Sequence, residues 1–169
     1  MINLRKKFKN FGPLEVLVFS SLFYAVIMLI WTATTRNEVL EKANSIKYNH
    51  KNVVEFLNNE INKCTQDSQK QTSWGEDCNS TWTSSVIIKY ILKNVKLKNP
   101  YSLNKPLIIL SPDPRIDAEG KAGQSTNKGI IFVSSDNFNA EAGSEWIVGT
   151  CIKSPCVAAG NNELISVYR

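Results

Sequence analysis

Few side chains in this chain can do chemistry. Cys64, Cys78, Cys151 and Cys156 form an even set, separated within the two nearest pairs by thirteen and four residues. In an oxidising compartment such a set pairs into disulfides, and four cysteines allow three connectivities. Nearest partners in sequence predict Cys64 with Cys78 and Cys151 with Cys156. The alternative is a four-cysteine zinc site, but zinc ligands usually arrive in close C-x-x-C pairs, which are absent here. His50 is the only histidine. It has no nucleophile or carboxylate in a recognisable context, so no role is assigned to it. Ser111-Pro-Asp-Pro-Arg-Ile-Asp-Ala-Glu-Gly120 gathers Asp113, Asp117 and Glu119, which can supply oxygens to calcium. Their spacing is not that of an EF-hand loop and Arg115 sits among them, so a solvated surface loop is the expectation.

Motifs for catalysis are missing. The chain has no Ser/His/Asp set in context, no G-x-G-x-x-G, no P-loop and no H-E-x-x-H. No enzyme activity and no cofactor or metal is predicted. Four tryptophans and five tyrosines are spread along the chain, as packing residues are. Asn79-Ser80-Thr81 is formally a glycosylation sequon, a pattern common by chance. The net charge of +5 is largely local: subtracting Arg5, Lys6, Lys7 and Lys9 leaves +1. No basic stripe survives in the body, so nucleic-acid binding is not predicted.

The element that must position everything else is Phe11 to Trp31. After Glu15 no charge occurs until Arg36, and the apolar residues point all round a helix. That is enough to cross a bilayer once. The basic flank places the N-terminus inside and the body outside by the positive-inside rule, where the cysteines would oxidise. A secretory signal would have a shorter apolar run and a better cleavage site than Trp31-Thr-Ala-Thr-Thr, so retention of the helix is expected.

Helical patterning continues beyond the span. Val39, Ala43, Ile46, His50, Val53, Leu57, Ile61 and Cys64 recur at steps of three or four, an apolar stripe on an amphipathic helix. Glu38, Glu41, Lys42, Lys47, Lys51, Glu55 and Glu60 are assigned to its outer faces. No Gly or Pro interrupts Leu14 to Cys64, so one helix of about fifty residues, about 75 Å long, is expected. Pro13 suits its first turn. Thr65 to Ser80 reads as a loop closed by Cys64–Cys78. A second helix is predicted from about Thr81 to Val95, capped by Ser80 or Asn79, with Trp82, Val86, Tyr90 and Ile91 or Leu92 inward. Asn99-Pro100-Tyr101-Ser102 is a turn. Strands are expected at 106–110, 129–134, 145–152 and 163–168, the last with clear alternation, and 111–127 as a long loop. The fold class is α+β, a long N-terminal helix on a small antiparallel sheet. The domains are 1–10 (basic cytoplasmic segment), 11–35 (membrane helix) and 36–169 (exported domain: amphipathic helix 36–64, loop and second helix 65–98, sheet 105–169).

With those residues in view, the chain resembles the type IV pilins and pilin-like pseudopilins. These are bacterial subunits with a basic leader, a half-embedded long helix and a small C-terminal sheet. Phe11-Gly-Pro-Leu-Glu15 reproduces the family's phenylalanine and glutamate at the right spacing, and Lys6, Lys7 and Lys9 suit the leader. Asn10 stands where the family has glycine. The Asn99-Pro100-Tyr101 turn and the late cysteine pair are similar too. The resemblance implies processing between Asn10 and Phe11 by a prepilin peptidase and methylation of the new N-terminus. It implies assembly through Glu15, Leu14, Val18 and Leu22, with Glu15 meeting a neighbour's N-terminal amine. The implied partners are further copies of the chain and other pilins. The implied location is the inner membrane before assembly and a cell-surface filament, or fimbrium, after it, with a part in cell adhesion among the family's uses. The alternative is a non-polymerising single-pass protein with an exported binding or sensor domain.

Overall fold

The structure is a computed structural model that describes residues 12–66, 70–80, 82–95, 97–119, 127–134 and 145–168. Asn10 and Phe11, with the rest of the basic leader, lie outside the described residues, as does Thr81. The chain divides into two compact units, Met1–Glu41 and Lys42–Arg169. One helix, α1 (Pro13–Gln66), supplies residues to both.

In the first unit the helix begins at a closed cap. The Gly12 N–H donates to Glu15 Oε2 at 2.9 Å, while the Glu15 and Val16 N–H groups donate to the Gly12 carbonyl. Pro13 sits at the first helical position, where its missing donor costs nothing. Large apolar side chains from Leu14 to Trp31 are exposed. The hydroxyls among them are satisfied within the helix: Ser20 donates to the Leu17 carbonyl, Ser21 to Val18 and Thr32 to Leu29. In hydrocarbon, where water cannot serve polar groups, that self-satisfaction is required.

The second unit is α+β. After α1 come α2 (Ser84–Asn94), β1 (Ile108–Ser111), α3 (Pro114–Glu119), β2 (Ile131–Ser134), β3 (Glu145–Cys151) and β4 (Asn162–Tyr168). The strands form one sheet in the order β1-β2-β3-β4. It is mixed rather than antiparallel: β1 runs parallel to β2, and the β2–β3 and β3–β4 pairs are antiparallel. The correction lies in 111–127, expected to be plain loop. Parallel neighbours need a crossover, and α3 is part of it. Pro114 reads as a breaker in sequence yet suits the first position of a helix. Asp113 caps it, its Oδ1 accepting from the Arg115 N–H at 3.0 Å. α3 lies close on β3: a Cβ at Gly149 would stand 2.6 Å from the Pro114 carbonyl oxygen and 2.9 Å from Ala118 Cβ.

The core joins Ala43, Ile46, Val53, Leu57 and Ile61 of α1 to Ile131 and Val133 of β2, Trp146 and Val148 of β3, and Val167 of β4. Three expectations about faces change. Val39 is exposed, so the buried stripe starts at Ala43. Glu60, assigned to an outer face, is 1% exposed. β4 does not alternate cleanly: Leu164 and Ile165 are both exposed and Val167 is buried. β4 is an edge strand paired only with β3, so the two-fold pattern of burial is not enforced along it.

α2 starts later than expected. Thr83 is its N-cap residue, without a side-chain cap bond. Asn79 and Ser80 are engaged elsewhere, the Asn79 N–H donating to Asp77 Oδ1 and the Ser80 hydroxyl to the Asp77 carbonyl. The buried face is Ser84, Ile87, Ile88 and Ile91, with Val86 and Tyr90 only half-buried and Leu92 exposed. The run is apolar on several sides, so packing against β1 chose the face. The Asn99–Tyr101 turn is closed by the Tyr101 N–H donating to Asn99 Oδ1 at 2.9 Å. Gly129, at φ +77°, lets β2 begin against it; a Cβ there would fall 2.5 Å from Asn99 Oδ1.

Candidate functional site

Within the first unit, Leu14, Val18 and Leu22 are 75%, 51% and 60% exposed. At steps of four they make one apolar stripe on the helix surface, and Glu15 lies beside its start. α1 contains the one stretch among the described residues long and apolar enough to cross a membrane. Glu15 occupies a place the residue types alone did not reveal. Its carboxylate closes the helix's own first turn through Gly12, in the reciprocal geometry of a capping box. The Glu three residues after Gly12 is the signal that marks such a cap. Asn10 and Phe11, the processing positions, lie outside the described residues.

In the second unit the four cysteines are consumed. Cys64 is bonded to Cys78 and Cys151 to Cys156, with Cα separations of 5.4 and 5.3 Å. Both bonds leave no thiolate for zinc. The acidic loop is likewise spoken for: Asp113 caps α3, and Asp117 Oδ2 accepts from the Ser111 hydroxyl. Glu119 is exposed. No group of three or more metal-ligating residues occurs among the described residues.

Two buried polar residues of α1 were not recognised from sequence. Glu60 Oε1 accepts from Lys63 Nζ and Ser73 Oγ, each at 2.6 Å, and Oε2 accepts from the Ser73 N–H at 2.8 Å. Burial alone would raise this carboxyl; the Lys63 and Ser73 hydrogen bonds outweigh it and hold it below the usual 4.5. The network fastens loop 70–78 to α1 beside Cys64–Cys78, and Trp74 of that loop packs edge-on against Trp82, ring centroids 5.0 Å apart. The signal was available: Glu60 stands three residues after Leu57 and four before Cys64, on the edge of the stripe. His50 is 1% exposed, its Nε2 3.0 Å from the Val148 carbonyl and its Nδ1 3.4 Å from Glu163 Oε2. It lies on the stripe itself, so its spacing pointed inward.

Neither arrangement holds a nucleophile beside a base, and both tie elements of the second unit together. The apolar stripe of the first unit is the surface with unspent binding capacity. Comparison with protein-family models, with curated proteins and with solved structures finds no match for this chain.

Proposed function

We propose that this chain is a structural subunit of a type IV pilus-class surface filament. It is held in the inner membrane by α1 before assembly, N-terminus inside, and polymerises afterwards through the same apolar segment with copies of itself and related pilins. The observation that carries the reading is the division of labour along α1. Its residues 14–31 expose apolar side chains with their hydroxyls internally satisfied, and residues 43–61 are spent in the core of a disulfide-bonded α+β unit. A subunit that exchanges lipid for neighbouring helices needs that combination. The first test is the intact mass of the protein isolated from cells. A chain starting at Phe11, heavier by one methyl group, is expected; a chain starting at Met1 would remove the amine that Glu15 is proposed to meet.

A second reading, the non-polymerising anchor with an exported binding or sensor domain, draws support from the Glu15–Gly12 cap. That cap gives the glutamate a use in a solitary helix. Two substitutions separate the readings. Glu15→Gln keeps an acceptor for the Gly12 N–H and loses the charge; Glu15→Ala loses both. In a filament subunit both variants insert normally and both lower sheared filament yield about tenfold or more, a loss of about 1.4 kcal/mol or more of assembly free energy. Wild-type yield from Glu15→Gln would reduce Glu15 to a capping residue.

A further inference from the structure

The seam between α1 and the β3–β4 hairpin lacks one proton. His50 Nε2 faces the Val148 carbonyl oxygen at 3.0 Å. A carbonyl only accepts, so Nε2 carries the hydrogen and donates it. In the neutral ring that leaves a lone pair on Nδ1, and Nδ1 faces Glu163 Oε2 at 3.4 Å. An ionised carboxylate also only accepts. Two acceptors therefore oppose each other inside the fold. The charged groups reaching the ring, among the described residues, are Glu163 from β4 and, behind it, Lys47 from α1, whose Nζ is 3.4 Å from Glu163 Oε1. β3 presents only the Val148 backbone.

We infer that His50 and Glu163 form an acid-sensitive latch between α1 and the β3–β4 hairpin, closed with the imidazole neutral and weakened when the ring takes a proton from solution. The ring is almost wholly enclosed, so charging it forfeits its hydration. Glu163 repays only part of that loss: its side chain is 34% exposed, which screens it, and its other oxygen is engaged by Lys47. Burial consequently holds His50 below the ordinary 6.5, against the opposing pull of the Val148 carbonyl and Glu163. The unfolded chain protonates at about 6.5, so it binds more protons than the folded one just below that pH. Stability is complete above 6.5 and falls as the pH drops through this window. Other groups leave the window clear. Glu60 and Glu145 are held below 4.5, so their contributions are lost only in stronger acid, and Tyr101 is raised above 10. The latch does not rest on the filament reading.

The test uses the full chain in detergent, unfolded by urea at pH 7.5, 6.5, 6.0, 5.5 and 5.0. The wild-type unfolding constant is expected to rise with acidification, at most about tenfold per pH unit for one proton. His50→Gln keeps an amide donor for Val148 and cannot titrate in this window; its unfolding constant is expected to stay flat from 6.5 to 5.0. A wild-type slope that persists in His50→Gln, or a wild type with no slope, would overturn the latch. The single histidine gives one imidazole Cε1–H resonance, so the wild type also reports directly if the variant does not fold. Its midpoint is expected below 6.5, and lower again in Glu163→Gln. A midpoint at or above 6.5, or one indifferent to Glu163→Gln, overturns the proposal.

Discussion

Trp146→Ala is expected to lower the unfolding free energy of the 42–168 unit by about 3–5 kcal/mol, the range for deleting a large buried aromatic side chain. Trp146 is fully buried at the start of β3, the sheet's longest-paired strand, and belongs to the cluster that holds Ile46 and Leu57 of α1. Domains of this size have about 5–15 kcal/mol to lose, so the variant would unfold at a much lower urea concentration. Tyr168→Ala is the control on the neighbouring strand. Tyr168 is 63% exposed, and substitutions at such sites usually stay within about 0.5 kcal/mol. Equal midpoints for the two variants, followed by circular dichroism, would contradict the assigned core.

Removing Cys64–Cys78 by serine at both positions is expected to cost about 3 kcal/mol, from the loop closed by residues 14 apart. Removing Cys151–Cys156, with its separation of 5, is expected to cost about 2 kcal/mol on the same chain-entropy account. The order carries the content. The first bridge also holds loop 70–78, whose Ser73 supplies two of the hydrogen bonds to buried Glu60. Loss of that loop would strand a buried carboxylate with Lys63 alone. Thermal unfolding with and without reductant measures both costs, and a larger loss from the 151–156 pair would refute this ordering.

Disulfide topology and fold class were readable for specific reasons. Nearest-neighbour spacing sets which thiols meet most often, and the structure has those two bonds. Periodicity located the strands to within a few residues and the long helix almost end to end. Strand direction was not readable. It turned on whether Ser111 to Asn127 was a loop or carried a helix, and Pro114 and Asp113 can signal either a turn or a helix start. The inner face of α2 was equally hidden, because a run of adjacent isoleucines has no polar side to exclude.

The sequence by itself determined the membrane-length apolar helix, its amphipathic continuation and the α+β class, because these follow from residue periodicity and charge along one local stretch. Only the tertiary structure decided that the sheet is mixed, that Glu60 is buried and satisfied, and that His50 faces Val148 and Glu163. Each of those depends on which residues far apart in sequence meet: position 60 with 73, position 50 with 148 and 163. A buried polar residue is tolerable only when its partners are in place, and the spacing along α1 does not say where those partners come from.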